Sequence, residues 1–307
     1  MAMAAANLSA AIVMPFVLTG LLNRVKSLWS GRRGPPILQS AFDVLRLLRK
    51  QSVYSTTSTP LFRIAPWIFA ATAFASAAVT PLLGSSPLVS FSFDLVWFAY
   101  VWALGRVLMM LAALDTGSSF EGMGAAREAT FASLLEPAYF LVVGALCLVT
   151  HTHTLHRALA PDLSAGPEVV MVWAAALVAL LIVLQVETAR MPVDDPSTHL
   201  ELTMVHEVMI LDHSGPDLAA IQIGSAVKLF VGCAMIATLL NPWAGDGTVA
   251  GAVMNLGLCA GVAILLGTVE SLVARLRMRR VPQYIVIAIV AGAVALLATS
   301  WRAGGAP

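Results

Sequence analysis

Eight runs of about twenty mostly apolar residues dominate this chain, at roughly 5–22, 61–83, 95–114, 131–150, 168–187, 218–240, 250–270 and 281–301. A helix needs about 20 such residues to cross bilayer hydrocarbon, and inside lipid every backbone polar group must be satisfied within the protein. The runs therefore predict an all-α integral membrane protein of eight transmembrane helices. The alternating pattern that a membrane barrel requires is absent. Only 11% of the 307 residues are charged, against about a quarter in a water-soluble globule. A net charge of +1 gives no basic footprint for nucleic acid. No repeat and no long linker divides the chain, so residues 1–307 read as a single transmembrane domain.

Between the first two runs lies GPPILQSAFDVLRLLRKQ, residues 34–51. Ile37, Leu38, Ala41, Leu45 and Leu48 recur at helical spacing, while Asp43, Arg46, Arg49 and Lys50 fall elsewhere on the wheel. The pattern predicts an amphipathic helix lying in the membrane interface. Charge then sets orientation. Fourteen lysines and arginines, in 24–63, at 127 and 190 and in 275–280, fall on one side; Arg157 and Arg302 alone fall on the other. The rich side is expected to be cytoplasmic, which puts both termini on the outer (periplasmic) side and the 188–217 loop inside. No basic stretch precedes the first run, so it reads as a retained span and not a cleaved signal.

Seven of the seventeen carboxylates crowd into Glu187–Asp217, at the end of an apolar run. Acids held where a spanning helix emerges can change their proton affinity and carry protons or polar substrates. Arg106 and Lys228 fall well inside spans three and six. Each costs about 2.5–3.5 kcal/mol at a helix centre and so must face a partner or water. A structural ion pair and a place on a proton path both fit, and only Lys228 could lose its proton near neutral pH. Glu136, Glu187 and Glu270 are expected at the cytoplasmic ends of spans four, five and seven, where they could form a polar funnel. For Glu270, beside a basic loop, a plain salt bridge fits equally well.

Pro192 and Pro196 forbid helix continuation after span five, and Thr198-x-x-Glu201 has the form of a capping box that opens a new helix. On such a helix His199, His206 and His213 would share one stripe, with Glu201 and Asp212 on another face. Seven residues of separation, about 10 Å, stop one helix from offering these histidines to a single metal. His151, His153 and His156 belong to the outer side. No facing pair sits at the depth a bis-histidine haem needs, and Cys147, Cys233 and Cys259 are isolated in apolar runs. P-loop, GxSxG, HExxH and dinucleotide-binding fingerprints are missing. The chain offers no self-contained catalytic centre and no metal or cofactor site of its own.

Four blocks carry a family resemblance, in order: RRGPPILQSAFDVLRLLRK, RIAPWIF, DTGSSFEGMGAAREATFASLLE and ETARMPVDDPSTHLELTMVHEVMILDHSGP. They resemble the NuoH-type subunit of respiratory complex I, and more closely its homologues in membrane-bound energy-converting (group 4) hydrogenases, such as formate hydrogenlyase and hydrogenase-4. The likeness covers nearly the whole chain. Asp43, Arg127, Glu136, Glu187, Arg190, Pro192, Asp194, Glu201 and Asp212 fall on family positions. The resemblance implies a subunit of a bacterial or archaeal cell membrane that anchors a hydrophilic redox module. It also implies coupling of that module to antiporter-like neighbours that move protons or sodium. By this resemblance Glu136, Glu187, Glu201 and Asp212 would be members of the coupling path. Asp194, also on a family position, and Lys228, a charge inside a span, are added to it from this chain, with Asp43, Arg106, Arg127, Arg190, His199 and His206 expected to support or pair. Fe–S clusters and, on the hydrogenase side, a NiFe centre would belong to partner subunits.

Three positions depart from the complex I pattern. His199 stands where an acid is expected, Ser225 replaces a glutamate of span six, and Gln51 replaces one after the interfacial helix. These changes put quinone binding in doubt and, with Lys228, lean to the hydrogenase side. Two other readings stay open: a self-contained secondary transporter, which would show inverted repeats and broken helices, and a quinone-binding anchor of another oxidoreductase.

Overall fold

A computed structural model of the chain describes residues 2–160, 162, 164, 166–194 and 204–304. The helices, in chain order, are α1 (Ala2–Trp29), α2 (Gln39–Leu48), α3 (Pro60–Val79), α4 (Asp94–Asp115), α5 (Ser119–Thr150), α6 (Leu155–Ala158), α7 (Pro167–Glu187), α8 (His206–Met209), α9 (Gly215–Leu240), α10 (Val249–Leu272) and α11 (Val281–Gly304), with a 3₁₀ turn at Met278–Arg280 before the last. Among the described residues, eight helices are long and apolar enough to cross a membrane: α1, α3, α4, α5, α7, α9, α10 and α11.

The centre of the bundle is α9, whose most apolar stretch is 83% buried. It is walled by α3, α1, α10 and α7, while α11 closes on α5 and α7. Small residues let the walls approach. A Cβ at Gly224 would stand 2.7 Å from the Phe69 ring of α3, and one at Gly232 would overlap Leu184 of α7. Without a hydrophobic force between helices in lipid, such close packing supplies much of the association energy.

Local chemistry sets the helix ends. Pro60 opens α3, Thr59 Oγ1 accepts from Leu61 N at 3.3 Å, and Asp115 at the end of α4 accepts from Thr59 N at 2.7 Å. The start of α3 is thus tied to the end of α4. At the end of the bundle near the N-terminus, Asn255 donates to Leu82 O at 3.0 Å and Asn241 to Gly251 O at 3.0 Å. Gly84 sits among them at φ 70 with no room for a side chain, a position only glycine fills without strain.

Two expectations need correcting. The helix predicted over 34–51 is confined to Gln39–Leu48, because Gly34-Pro35-Pro36 leads into it and its last turn ends at Arg49. Phe42, Leu45 and Leu48 are exposed while Val44 turns inward, so its apolar row faces away from the bundle. The fourth span begins at Ser119 and not near 131. No proline or loop signal stops the helix between Ser119 and Glu136; only the charges at Glu121, Arg127 and Glu128 dilute its hydropathy. Glu136 is therefore mid-helix and not at a helix end.

Candidate functional site

One arginine organises the interior. Arg106, on α4 and 6% exposed, donates through Nη1 to Glu187 Oε1 at 2.6 Å and through Nη2 to Glu136 Oε1 at 2.8 Å. Glu187, at the end of α7 and 5% exposed, is also met by Lys228 Nζ of α9 at 3.4 Å. The ammonium lies 5.0 Å from the Phe69 ring centre and 5.2 Å from that of Trp102, so two aromatic faces replace part of its lost hydration. Trp102 is fixed in turn by donating from Nε1 to Ser76 Oγ at 2.9 Å. Four helices thus bring two cations and two carboxylates together. Glu136, whose side chain is 46% exposed, carries the cluster to the outer face of the bundle.

A large cavity of about 520 Å³ opens on the other flank, between α1, α2, the segment after α7, and α9. Asp43, Arg190, His206, Glu207 and Ser225 are among its walls. A void of about 20 Å³, room for one water, separates it from the ion cluster and shares Thr188, His206 and Ser225 with it. A second void of the same size lies beyond Arg106, against Glu136 and Tyr139. Polar groups and small voids therefore run from the cavity, past Glu187 and Arg106, to the exposed edge of Glu136.

The segment after α7 is held by its own acids. Asp194 is buried and accepts from Val205 N at 2.9 Å, His206 N at 3.1 Å and Arg275 Nη2 at 2.8 Å. Leu276 N donates to Pro192 O at 2.9 Å, fastening the same segment to the α10–α11 connection. Arg127 donates to Met204 O at 2.8 Å from α5. Glu270 of α10 pairs with Lys26 at 2.8 Å and with Arg190 at 3.5 Å, the salt-bridge reading of that acid.

Several candidates stand elsewhere than the sequence suggested. His199 and Glu201, with Pro196 and Thr198, lie outside the described residues. The helix expected to carry three histidines on a stripe is, where described, the single turn His206–Met209, with His213 beyond it. His206 lies near Phe69, and His213 stacks on Phe62 with ring centres 4.0 Å apart; both still face the large cavity. Asp212 is exposed, and its backbone N–H donates to Glu121 at 3.3 Å, so the carboxylate is not brought to the cluster. Asp43 accepts from Gln39 Nε2 at 2.9 Å at the cavity wall. The sequence reading singled out neither Asp217 nor Glu128. Asp217 is buried and accepts from Trp67 Nε1 at 3.1 Å, and Glu128 lines the small void. The stripe Gly124, Ala125, Phe131, Ala132, Leu135, filled in at three- and four-residue steps, would have placed Glu128 on the inward face.

The two cavity histidines lie outside the spanning helices, and burial pushes both imidazoles down to about 4. Lys228 lowers His206 further while Glu187 opposes, and Asp217 opposes at His213. The folded chain therefore keeps them neutral at a pH where the unfolded chain begins to charge. The stability they contribute is fully present above about 6.5 and is lost as pH falls toward 4. Thermal unfolding of the detergent-solubilised chain should show a midpoint that declines from pH 6.5 to 5. His213→Phe, which preserves the stack on Phe62, should decline less over that range. Equal slopes would contradict the assignment.

A family model described as NADH dehydrogenase matches residues 2–300. The chain is 30% identical to hydrogenase-4 component C of Escherichia coli K12 over 230 residues, 74% of this chain and 71% of that one. It is 28% identical to formate hydrogenlyase subunit 4 of the same organism over 281 residues, 87% and 88% of the two chains. With the NuoH-type subunit of the NADH-quinone oxidoreductase of Geobacillus kaustophilus it shares 28% over 273 residues, 83% and 80%. A chain from the solved structure of the membrane-bound sulfane sulfur reductase, an archaeal respiratory membrane complex, has the same fold, with a TM-score of 0.80 at 18% identity over 96% and 98% of the two chains. With eight spanning helices and these relatives, the protein is a multi-pass membrane protein that belongs to the NADH dehydrogenase family, the family of NuoH-type membrane subunits.

Proposed function

We propose that this chain is the membrane-anchoring and coupling subunit of a complex-I-like or group 4 hydrogenase-like assembly. It would link a hydrophilic redox module at the 188–217 face to proton or sodium movement by antiporter-like neighbours. The observation that carries this reading is the ion cluster of Arg106, Glu136, Glu187 and Lys228. It joins a cavity beside the 188–217 segment to a half-exposed carboxylate in the middle of a spanning helix. A charge at that depth facing lipid is unfavourable, so Glu136 is suited to face a neighbouring membrane subunit. Asp194, Arg275 and Arg127 then serve as the scaffold that holds the module-facing segment against the bundle.

The basic side of the chain is taken as cytoplasmic, with both termini outside. Fe–S clusters and a NiFe centre are assigned to partner subunits, whereas this chain supplies charge and proton sites. Ser225 gives the large cavity a hydroxyl where the complex I pattern has a carboxylate, and we read the cavity as unsuited to quinone reduction.

Purification of the native complex through an affinity tag on this chain tests both points. Co-purification of hydrophilic redox subunits and antiporter-like membrane subunits is expected, with no reduction of a ubiquinone or menaquinone analogue at the rate of the complex's other activity. A chain that purifies alone and transports a solute would overturn the first point, and quinone turnover at full rate the second.

A further inference from the structure

We infer that Glu128 is the carboxylate that hands protons between the large cavity and the Arg106–Glu187–Lys228 cluster. The inference rests on the coupling reading above and adds a residue to it. Glu128 is on α5, two turns before Glu136, about 12 Å along the axis. It lines the water-sized void together with Arg106, Glu187, His206, Ser225 and Lys228. Through His206 and Ser225 that void borders the large cavity, so Glu128 stands where cavity and cluster meet.

Its bonding sets it apart from the acids around it. Glu136 and Glu187 are locked to Arg106, Glu270 to Lys26, and Asp194 to Arg275 and two backbone N–H groups. Among the described residues no hydrogen bond or ion pair holds Glu128. A carboxylate without a fixed partner can gain and lose a proton without an ion pair having to break. The charges that bear on it come from every side: Arg106 on α4, Glu187 at the end of α7, Asp194 beyond it, and Lys228 on α9. Lys228 is itself lightly tethered, by one 3.4 Å contact and two aromatic faces. Displacement of the ammonium toward or away from Glu128 would change the carboxylate's proton affinity. The step is a plain transfer: a hydrated proton carried in by the cavity water protonates the Glu128 carboxylate and leaves water behind, and passing that proton on toward Glu187 restores the carboxylate. His206, neutral in the wall, leaves the entrance uncharged.

A static alternative is that Glu128 only balances the positive charge of Arg106 and Lys228. The test is proton uptake by the intact complex in proteoliposomes, driven by dithionite-reduced methyl viologen and normalised to assembled complex. Glu128→Gln, Glu128→Asp and Glu187→Gln are compared. The inference expects flux in Glu128→Gln to fall by about tenfold or more, with Glu128→Asp retaining most of it and the pH profile of the residual flux shifting. If Glu187→Gln abolishes flux while Glu128→Gln matches the parent, this inference fails and the coupling reading stands. If both match the parent, the coupling reading fails as well. Equal losses in Glu128→Gln and Glu128→Asp also overturn the inference, since size and not ionisation would then be what matters.

Discussion

Arg106→Met is expected to be the most damaging single change in the chain. Arg106 closes two carboxylates with one guanidinium, at 2.6 Å to Glu187 and 2.8 Å to Glu136. Methionine fills similar space but leaves Glu187, 5% exposed, with only the 3.4 Å contact from Lys228 among the described residues. Removing one partner of a buried pair costs about 3–5 kcal/mol, because the other charge stays buried. The Glu136 arm is half-exposed and adds little to that sum. Against a total stability of about 5–15 kcal/mol such a loss is large. Arg106→Lys keeps the charge but not the planar fork that reaches both acids, so it should fall between parent and Met. Thermal unfolding and folded yield in detergent report the order. Parent-like behaviour of Arg106→Met would show that the cluster does not hold the four helices together.

The second large effect belongs to Gly20. A Cβ there would overlap the carbonyl oxygen of Ile37, on the stretch of chain that leads into α2. The obstacle is backbone and cannot rotate away, so Gly20→Ala must push α2 off α1. The hydrogen bond from Ser40 Oγ to Phe16 O, 3.2 Å long, would go with it, and one wall of the large cavity would shift. Overpacking of this kind typically costs about 1–3 kcal/mol. Gly257→Ala is the control, since nothing lies within 4 Å of a Cβ there. Amide hydrogen exchange across 35–48 should accelerate in Gly20→Ala and not in Gly257→Ala. Unchanged exchange in Gly20→Ala would mean that α2 is not seated on α1 as described.

The eight spans were legible because a spanning helix announces itself by length and apolarity, with no need to know its neighbours. The start of α5 was not, because a hydropathy limit stops at Arg127 and Glu128, whereas the helix continues through any residues that favour it. That error hid Glu128, the acid facing the small void. Arg106 and Lys228 were conspicuous as charges inside apolar runs, and Glu187 as the acid at a run's end. Their mutual pairing was not readable, since partners on different helices are a matter of packing. Arg127 and Arg190, the nearest cations in sequence to Glu136 and Glu187, instead bind Met204 O and Glu270. The region 188–217 was the hardest to read. Its capping-box pattern at Thr198 suggested a new helix running on to His213, but where described that helix is the single turn His206–Met209, held by Asp194, which collects two backbone N–H groups and Arg275 from a distant connection.

The coupling account stands or falls on the two glutamates that share Arg106. Glu187→Gln and Glu136→Gln preserve side-chain shape and hydrogen-bonding reach while removing the charge. The decisive measurement is proton or sodium flux by the intact complex in proteoliposomes, normalised to assembled complex, with electron transfer followed alongside. The account predicts assembled complexes whose normalised flux falls in both variants, with electron transfer slowed as well. Reduced complex yield with normalised flux equal to the parent's in both variants would contradict it, leaving the cluster as a structural ion pair.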